Sequence, residues 1–268
     1  MLPKLFTIGD FFIPTYGLLV AIGFLVGLWI TVRLARKSAL PEDKITNLVI
    51  YCALAGLAGA KLFMFFFDWR VYWNNPGEIF TLSTLRAAGV YQGGFLVALV
   101  FAVLYIRHMR LPLLPTCDVF SPGIAIAHAI GRLGCLAAGC CWGRPTTVPW
   151  AITFKNPDAR EMSGTPLLTP LHPAQIYEAI ANALIFAFLY WRIRRTHAAG
   201  EVFGWYLILY SIARFIIEFY RVHEQGTYAG LSLTQWIAMG TLAVGTALLT
   251  WTQAATSSTL AGPKTSKV

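Results

Sequence analysis

Six ionisable side chains stand inside stretches too apolar for a soluble surface: Lys61, His128, Arg132, Glu178, Arg214 and Glu218. Each costs a few kcal/mol or more at membrane depth, so each needs a partner or a task. His128 and Arg132 are spaced i,i+4 and share a helix face. Arg214 and Glu218 repeat that spacing, with Tyr210 one turn earlier. The second pair is read either as a self-neutralising ion pair or as the charged side of a site. Arg132 has no carboxylate at i±3 or i±4, so the spacing predicts a guanidinium without a counter-ion. Two such arginines beside lipid attract a phosphate, whose oxygens match the guanidinium fork. A phospholipid headgroup is the phosphate most available there. An anion-transport pathway is the alternative.

Other side chains add options. His128 is either a hydrogen-bonded interior histidine or a working imidazole on the Arg132 face. His172 lies between Pro170 and Pro173, and with Gln175 it opens a helix, where it either caps or hydrogen-bonds the first turn or works chemically. Cys135, Cys140 and Cys141 cluster after Arg132. A Cys135–Cys140 disulfide is plausible on an oxidising face, but it requires the helix to end near Gly139. The spacing of the three matches no standard zinc pattern, so no metal ligand is assigned. Cys52 and Cys117 read as packing residues. His108 and His197 fall on the opposite face, and His223 reads as a loop residue.

The elements that position these groups follow from composition. Of 268 residues, 57% are hydrophobic and 12% charged, against about 25% charged in a soluble domain. Mean hydropathy is +0.61. A soluble enzyme, a disordered chain, a coiled coil and a disulfide scaffold are excluded. The net charge of +9 sits in short clusters between apolar runs, which orients spans rather than binding nucleic acid. Seven runs are long enough to span, at Pro14–Val32, Ile45–Phe67, Val90–Ile106, Val119–Cys141, His172–Trp191, Val202–Phe219 and Leu231–Trp251. The predicted fold class is therefore all-α: a polytopic membrane protein with seven transmembrane helices in a single domain over residues 1–268. Met1–Pro14 does not read as a cleavable signal.

Basic residues concentrate after spans one, three and five and in the tail, while Arg86 and six others dilute over longer segments. The N-terminus is predicted outside and the C-terminus in the cytoplasm. Residues 142–171 are expected to form a small outward-facing head, and residues 252–268 a disordered cytoplasmic tail. Trp69, Tyr72, Trp73, Trp142 and Trp150 read as an interfacial aromatic belt.

The motifs carry a resemblance. Gly131-Arg132-Leu133-Gly134, then Gly139 and Trp142-Gly143-Arg144, resembles the signature of prolipoprotein diacylglyceryl transferases. Tyr16-Gly17-Leu18, Gly93-Gly94, His172-Pro173-Ala174-Gln175-Ile176-Tyr177-Glu178, Tyr210 with Arg214 and Glu218-Phe219-Tyr220-Arg221, and Leu231-Ser232 with Gln235 follow the same family order. The resemblance implies an enzyme of the bacterial plasma membrane with an outward-facing active site and no cofactor. It implies transfer of diacylglyceryl from phosphatidylglycerol to the lipobox cysteine of a preprolipoprotein, recognised by its signal peptide. It assigns Arg132, Gly134, Gly143, Gln92, Gly93 and Gly94 to substrate binding. It assigns Arg214, Glu218, Tyr16, Tyr210 and His172 to catalysis. His128, one turn before Arg132, is read from its spacing as a replacement for the family's missing imidazole, so the proton acceptor is open between the two histidines. The sequence departs from the family pattern at three positions: Gln92 replaces a histidine, Cys135 an asparagine and Cys140 a glutamate. The readings weighed against this are a paralogue with another acceptor and a non-enzymatic lipid or anion transporter.

Overall fold

The computed structural model describes residues 2–8, 11–81, 84, 89–222 and 227–260. His223, Arg86 and the end of the tail, residues 261–268, lie outside the described residues. Seven long helices occur among the described residues, each at a predicted span: α1 Thr15–Lys37, α2 Glu42–Phe67, α4 Tyr91–His108, α5 Leu113–Ala138, α7 Ala174–Ile193, α8 Glu201–Glu218 and α9 Leu233–Leu260. Two short helices, α3 Trp69–Asn74 and α6 Pro157–Ser163, lie in the connections. A 3-10 turn spans Pro76–Phe80, and the described residues also include two antiparallel strand pairs, β1 Lys4–Ile8 with β2 Phe11–Pro14 and β3 Ile152–Thr153 with β4 Pro170–Leu171.

Six of the long helices are apolar enough to cross a membrane. The exception is α8, whose 18 residues include Glu201, Arg214 and Glu218. Arg214 and Glu218 belong to the cluster described below, while Glu201 pairs with Arg192. Helix α9 also departs from expectation. It runs on to Leu260 rather than giving way to an irregular tail after Trp251, because Thr252–Leu260 contains no proline or glycine to stop it.

The chain forms two compact units, one of Met1–Leu34 with Cys117–Val268 and one of Ala35–Thr116. In the smaller unit α2 packs on α4 through glycine. A Cβ on Gly94 would stand 2.7 Å from the Gly56 carbonyl oxygen, and one on Gly93 only 2.2 Å from Phe63 Cγ. Gly93 and Gly94 are thus packing residues of this helix pair. Gln92 is exposed on the same first turn.

In the larger unit α1 and α5 cross through small residues. A Cβ on Gly27 would meet the Gly123 carbonyl at 2.8 Å, and one on Gly23 the Ala127 carbonyl at 2.9 Å. Such close backbone approach gives apolar helices their van der Waals contact in lipid. Buried Asp118 on α5 fixes the start of α8. Its carboxylate accepts from Gly200 N at 2.7 Å and Phe203 N at 2.8 Å, supplying the helix N-terminus with the acceptor its free N–H groups need. The 142–171 segment is ordered by β3, β4 and α6. The Asp158 carboxylate of α6 accepts from Lys4 Nζ at 2.7 Å, which raises the Lys4 pKa above its ordinary value.

Candidate functional site

Glu178 is the hub. It sits on the second turn of α7 and is 2% exposed. Its Oε2 lies 2.7 Å from Arg132 Nε on α5. Its Oε1 lies 2.7 Å from Arg221 Nη1 and 3.4 Å from Arg214 Nη1. Arg214 also pairs with Glu218 Oε2 at 2.9 Å, the i,i+4 contact that spacing predicts. The expectation that Arg132 lacks a counter-ion is corrected here: its carboxylate comes from another helix. Three guanidiniums face two carboxylates, so this cluster carries one net positive charge. Among the described residues Arg132 Nη1 and Nη2 make no hydrogen bond and remain available as donors.

Glu218 is itself oriented. Its Oε1 accepts from Ser232 Oγ at 3.1 Å. Ser232 and Gln235 form a capping box at the start of α9: Gln235 N donates to Ser232 Oγ at 3.2 Å, and Ser232 N donates to Gln235 Oε1 at 2.9 Å. The cap of one helix thereby fixes the carboxylate that fixes Arg214.

His128 shares the Arg132 face. Arg132 Nε donates to His128 Nε2 at 3.1 Å. Because arginine keeps its protons, Nε2 is the acceptor and carries the lone pair. The ring also lies 3.8 Å from Glu178 Oε2 and 5.7 Å, centroid to centroid, from Tyr210. Tyr210 in turn stacks on Tyr206 at 5.8 Å.

His172 is placed differently. Helix α7 starts at Ala174 with Pro173 at the cap position and no side-chain cap, so of the capping or hydrogen-bonding role expected of His172 the structure shows the hydrogen bond. His172 Nδ1 instead lies 3.1 Å from the Tyr177 hydroxyl, which accepts from Trp150 Nε1 at 2.7 Å. Its ring stands 5.1 Å from Tyr220. No described hydrogen bond, ion pair or ring contact joins His172 to Arg132, Arg214 or Glu178.

Gly143 stitches three segments. Its N–H donates to the His172 carbonyl at 3.0 Å, and Arg144 N donates to the Tyr220 carbonyl at 2.8 Å. Arg144 Nε holds the Arg221 carbonyl at 2.9 Å. A Cβ on Gly143 would stand 2.5 Å from the Tyr220 carbonyl oxygen and 2.7 Å from that of His172. Gly134 is tight for a similar reason, since a Cβ there would lie 3.3 Å from Tyr16. Tyr16, at the start of α1, is within electrostatic reach of Arg132 and the cysteines.

The cysteines are brought together by the end of α5. Gly139 has φ +81. Cys140 N donates to the Cys135 carbonyl at 3.1 Å and Gly139 N to the Leu136 carbonyl at 3.2 Å, which is a Schellman stop. Cys135 and Cys140 are the pair of positions that this motif folds onto each other. Cys141, with φ +61, turns back to join them. All three thiols are free, and their sulfurs lie within 4.8 Å of one another.

Sequence reasoning left Glu178 and Arg221 out of the site. Both were visible as signals: Glu178 as an acid at membrane depth, Arg221 as the last residue of the span-six motif. Gln92, Gly93 and Gly94 belong to the smaller unit and are described with it.

Apolar spanning helices enclosing arginines, carboxylates and a histidine define a multi-pass helical membrane protein with a buried polar site suited to an anion. The sequence matches the family described as prolipoprotein diacylglyceryl transferase over residues 3–251, and the chain belongs to that family. The phosphatidylglycerol–prolipoprotein diacylglyceryl transferase of Clostridium tetani is 33% identical over 245 residues, covering 91% of this chain and 95% of its own. The enzyme of the same name from Bordetella parapertussis is 31% identical over 262 residues, covering 93% and 95%. A relative from Clostridium perfringens, named as a second such transferase, is 30% identical over 229 residues, covering 85% and 86%.

Proposed function

We propose that this chain transfers the diacylglyceryl group of phosphatidylglycerol to the lipobox cysteine of preprolipoproteins, as the names of its relatives describe. The observation that carries the reading is the cluster of Arg132, Arg214 and Arg221 around Glu178. Its net positive charge and the unused donors of Arg132 suit a phosphodiester. The thiolate sulfur attacks the glyceryl carbon, the carbon–oxygen bond to phosphate breaks, and glycerol phosphate leaves with the electron pair. Charge grows on the departing phosphate, so preplaced guanidiniums stabilise the transition state more than the ground state.

In this reading Arg132 turns from Glu178 and His128 toward the phosphate. That movement frees the Nε2 lone pair of His128, which then accepts the thiol proton. His172 is the other acceptor that the sequence offers. Arg214, oriented by Glu218, is the second cation on the phosphate. Tyr16 and Tyr210 supply hydroxyls, and Gly134 and Gly143 keep the helix ends close enough for the pocket to form. Gln92, Gly93 and Gly94 belong to substrate binding by family position. We place α8 as a seventh span, with its charges turned to the interior. The cluster lies toward the α1 N-terminal end, where Gly134 packs on Tyr16, and Glu178 is at the other end of α7 from Arg192. This supports an N-terminus and active site outside, a C-terminus inside, and an inner-membrane location with residues 142–171 as the outward head. The preprolipoprotein that carries the acceptor cysteine is recognised by its signal peptide, and neither nucleic acid nor an organic cofactor has a part.

A proteoliposome assay tests the reading, with phosphatidylglycerol, a lipobox peptide and wild-type protein beside Arg132→Ala. Thioether product from wild type, reduced about 10²–10³-fold in the variant, supports it. Wild-type rates in the variant overturn the headgroup role, and no product from wild type overturns the reaction.

A further inference from the structure

We propose that Cys135, Cys140 and Cys141 form a three-thiolate site for a thiophilic d10 metal cation, Cu⁺ or Zn²⁺, at the end of α5. Geometry carries it. Metal–sulfur bonds of about 2.3 Å place three ligand sulfurs about 4 Å apart around one ion. The three sulfurs already lie within 4.8 Å of one another, so rotamer adjustments suffice. Linear spacing hides the site. It needs the Schellman stop at Gly139 to fold Cys140 onto Cys135, and the left-handed backbone of Cys141 to close the third side.

The surroundings suit soft thiolate ligation. Cys135 is buried and its two neighbours are half-buried. Thiolates select Cu⁺ and Zn²⁺ over harder ions. Three thiolates around a divalent ion carry one net negative charge, and around a monovalent ion two. Arg132 and Arg221 are both within electrostatic reach of Cys141 to balance that charge. Binding converts three thiols and one cation into a metal trithiolate and releases protons to water. No redox partner is required.

The site also has a rigid second layer. The Cys140 carbonyl accepts from Gln175 Nε2 at 2.6 Å, which ties the ligand loop to α7 three residues before Glu178. A bound ion thus fixes the end of the helix carrying Arg132 against the helix carrying Glu178. It acts as a positioning element for the arginine cluster, apart from the transfer chemistry.

The test uses full-length protein in detergent micelles under reducing conditions. Zn²⁺ and Cu⁺ are titrated separately against competing chelators, with bound metal read by elemental mass spectrometry. Cys135→Ser, Cys140→Ser and Cys141→Ser are compared with Cys52→Ser and Cys117→Ser, all checked for monodisperse elution. One ion per chain in wild type and in the last two variants, lost in the first three, supports the site. The titration that saturates tightest identifies the ion. Binding no greater than in the triple Cys135/Cys140/Cys141→Ser variant overturns it. A disulfide within the trio, found by alkylating thiols in intact cells, also overturns it, because one thiol cannot hold the ion. None of these readouts depends on transferase activity, so failure here and failure of the proposed reaction are separable.

Discussion

Arg132 Nε and Glu178 Oε2 stand 2.7 Å apart across two helices, with Glu178 almost wholly buried. The same carboxylate holds Arg221 and approaches Arg214. One acid therefore keeps three guanidiniums at the same depth. As it stands the arrangement is self-contained; in the proposed reaction Arg132 exchanges one anion, Glu178, for another, the phosphodiester. Exchange between equivalent partners costs less than taking a hydrated guanidinium out of water.

Glu178→Gln tests that role of the hub. The glutamine keeps the shape and loses the charge, leaving three half-buried cations facing Glu218 alone. Removing one member of a buried ionic network costs about 3–5 kcal/mol. The expected outcome is a lowered unfolding temperature in detergent, together with loss of transfer. An unchanged melting profile would show that the cluster does not depend on this carboxylate.

Arg132→Lys separates charge from geometry. Lysine retains the charge but offers a single ammonium in place of the planar fork. It reaches either Glu178 or a phosphate, without bidentate hydrogen bonding. Transfer is expected to fall well below wild type yet above Arg132→Ala, with most of the loss in kcat. Full activity in the lysine variant would mean that charge alone suffices.

The Arg214–Glu218 pair was legible because both residues lie on one helix, where periodicity fixes who meets whom. The same reasoning placed His128 beside Arg132, and the contact is there at 3.1 Å. It failed for Arg132 and Glu178, because partner choice between helices depends on packing, which linear spacing does not encode. The close crossing of α1 and α5 at Gly27 and Gly123 is part of that packing. The cysteine trio was half legible. Its dependence on a helix end at Gly139 was readable, whereas the left-handed Cys141 was not, since cysteine rarely adopts positive φ. Helix α8 reads as a span by length and apolar content, and of the three charges that set it apart Arg214 and Glu218 lie in the cluster.

Gly143→Ala addresses the stitch that holds Arg221 in place. The added methyl would meet the carbonyl oxygens of Tyr220 and His172, at 2.5 and 2.7 Å. Backbone atoms cannot rotate away as a side-chain tip can, so the segments must part. Overpacking of this kind costs about 1–3 kcal/mol. Transfer should drop further than stability, because Arg221 follows the displaced Tyr220 carbonyl directly. Thermal unfolding and the peptide assay, run on the same preparation, measure the two effects. Equal rates in variant and wild type would show that Arg221 keeps its place without the stitch.

His128→Gln asks which imidazole takes the proton. Glutamine still offers an oxygen to Arg132 Nε–H, so the local hydrogen bond survives and stability should hold. What it cannot do is bind a proton near neutral pH. A general base works only when unprotonated, so the wild-type rate should rise with pH through the base's pKa and then level off. In the variant that rise should vanish and the plateau should fall about 10²–10⁴-fold. His172→Gln, prepared in parallel, should keep the rise, because His172 bonds Tyr177 rather than the arginine cluster. If the pH limb persists in His128→Gln and disappears in His172→Gln, the proton goes to His172, and the Trp150–Tyr177–His172 chain becomes its route.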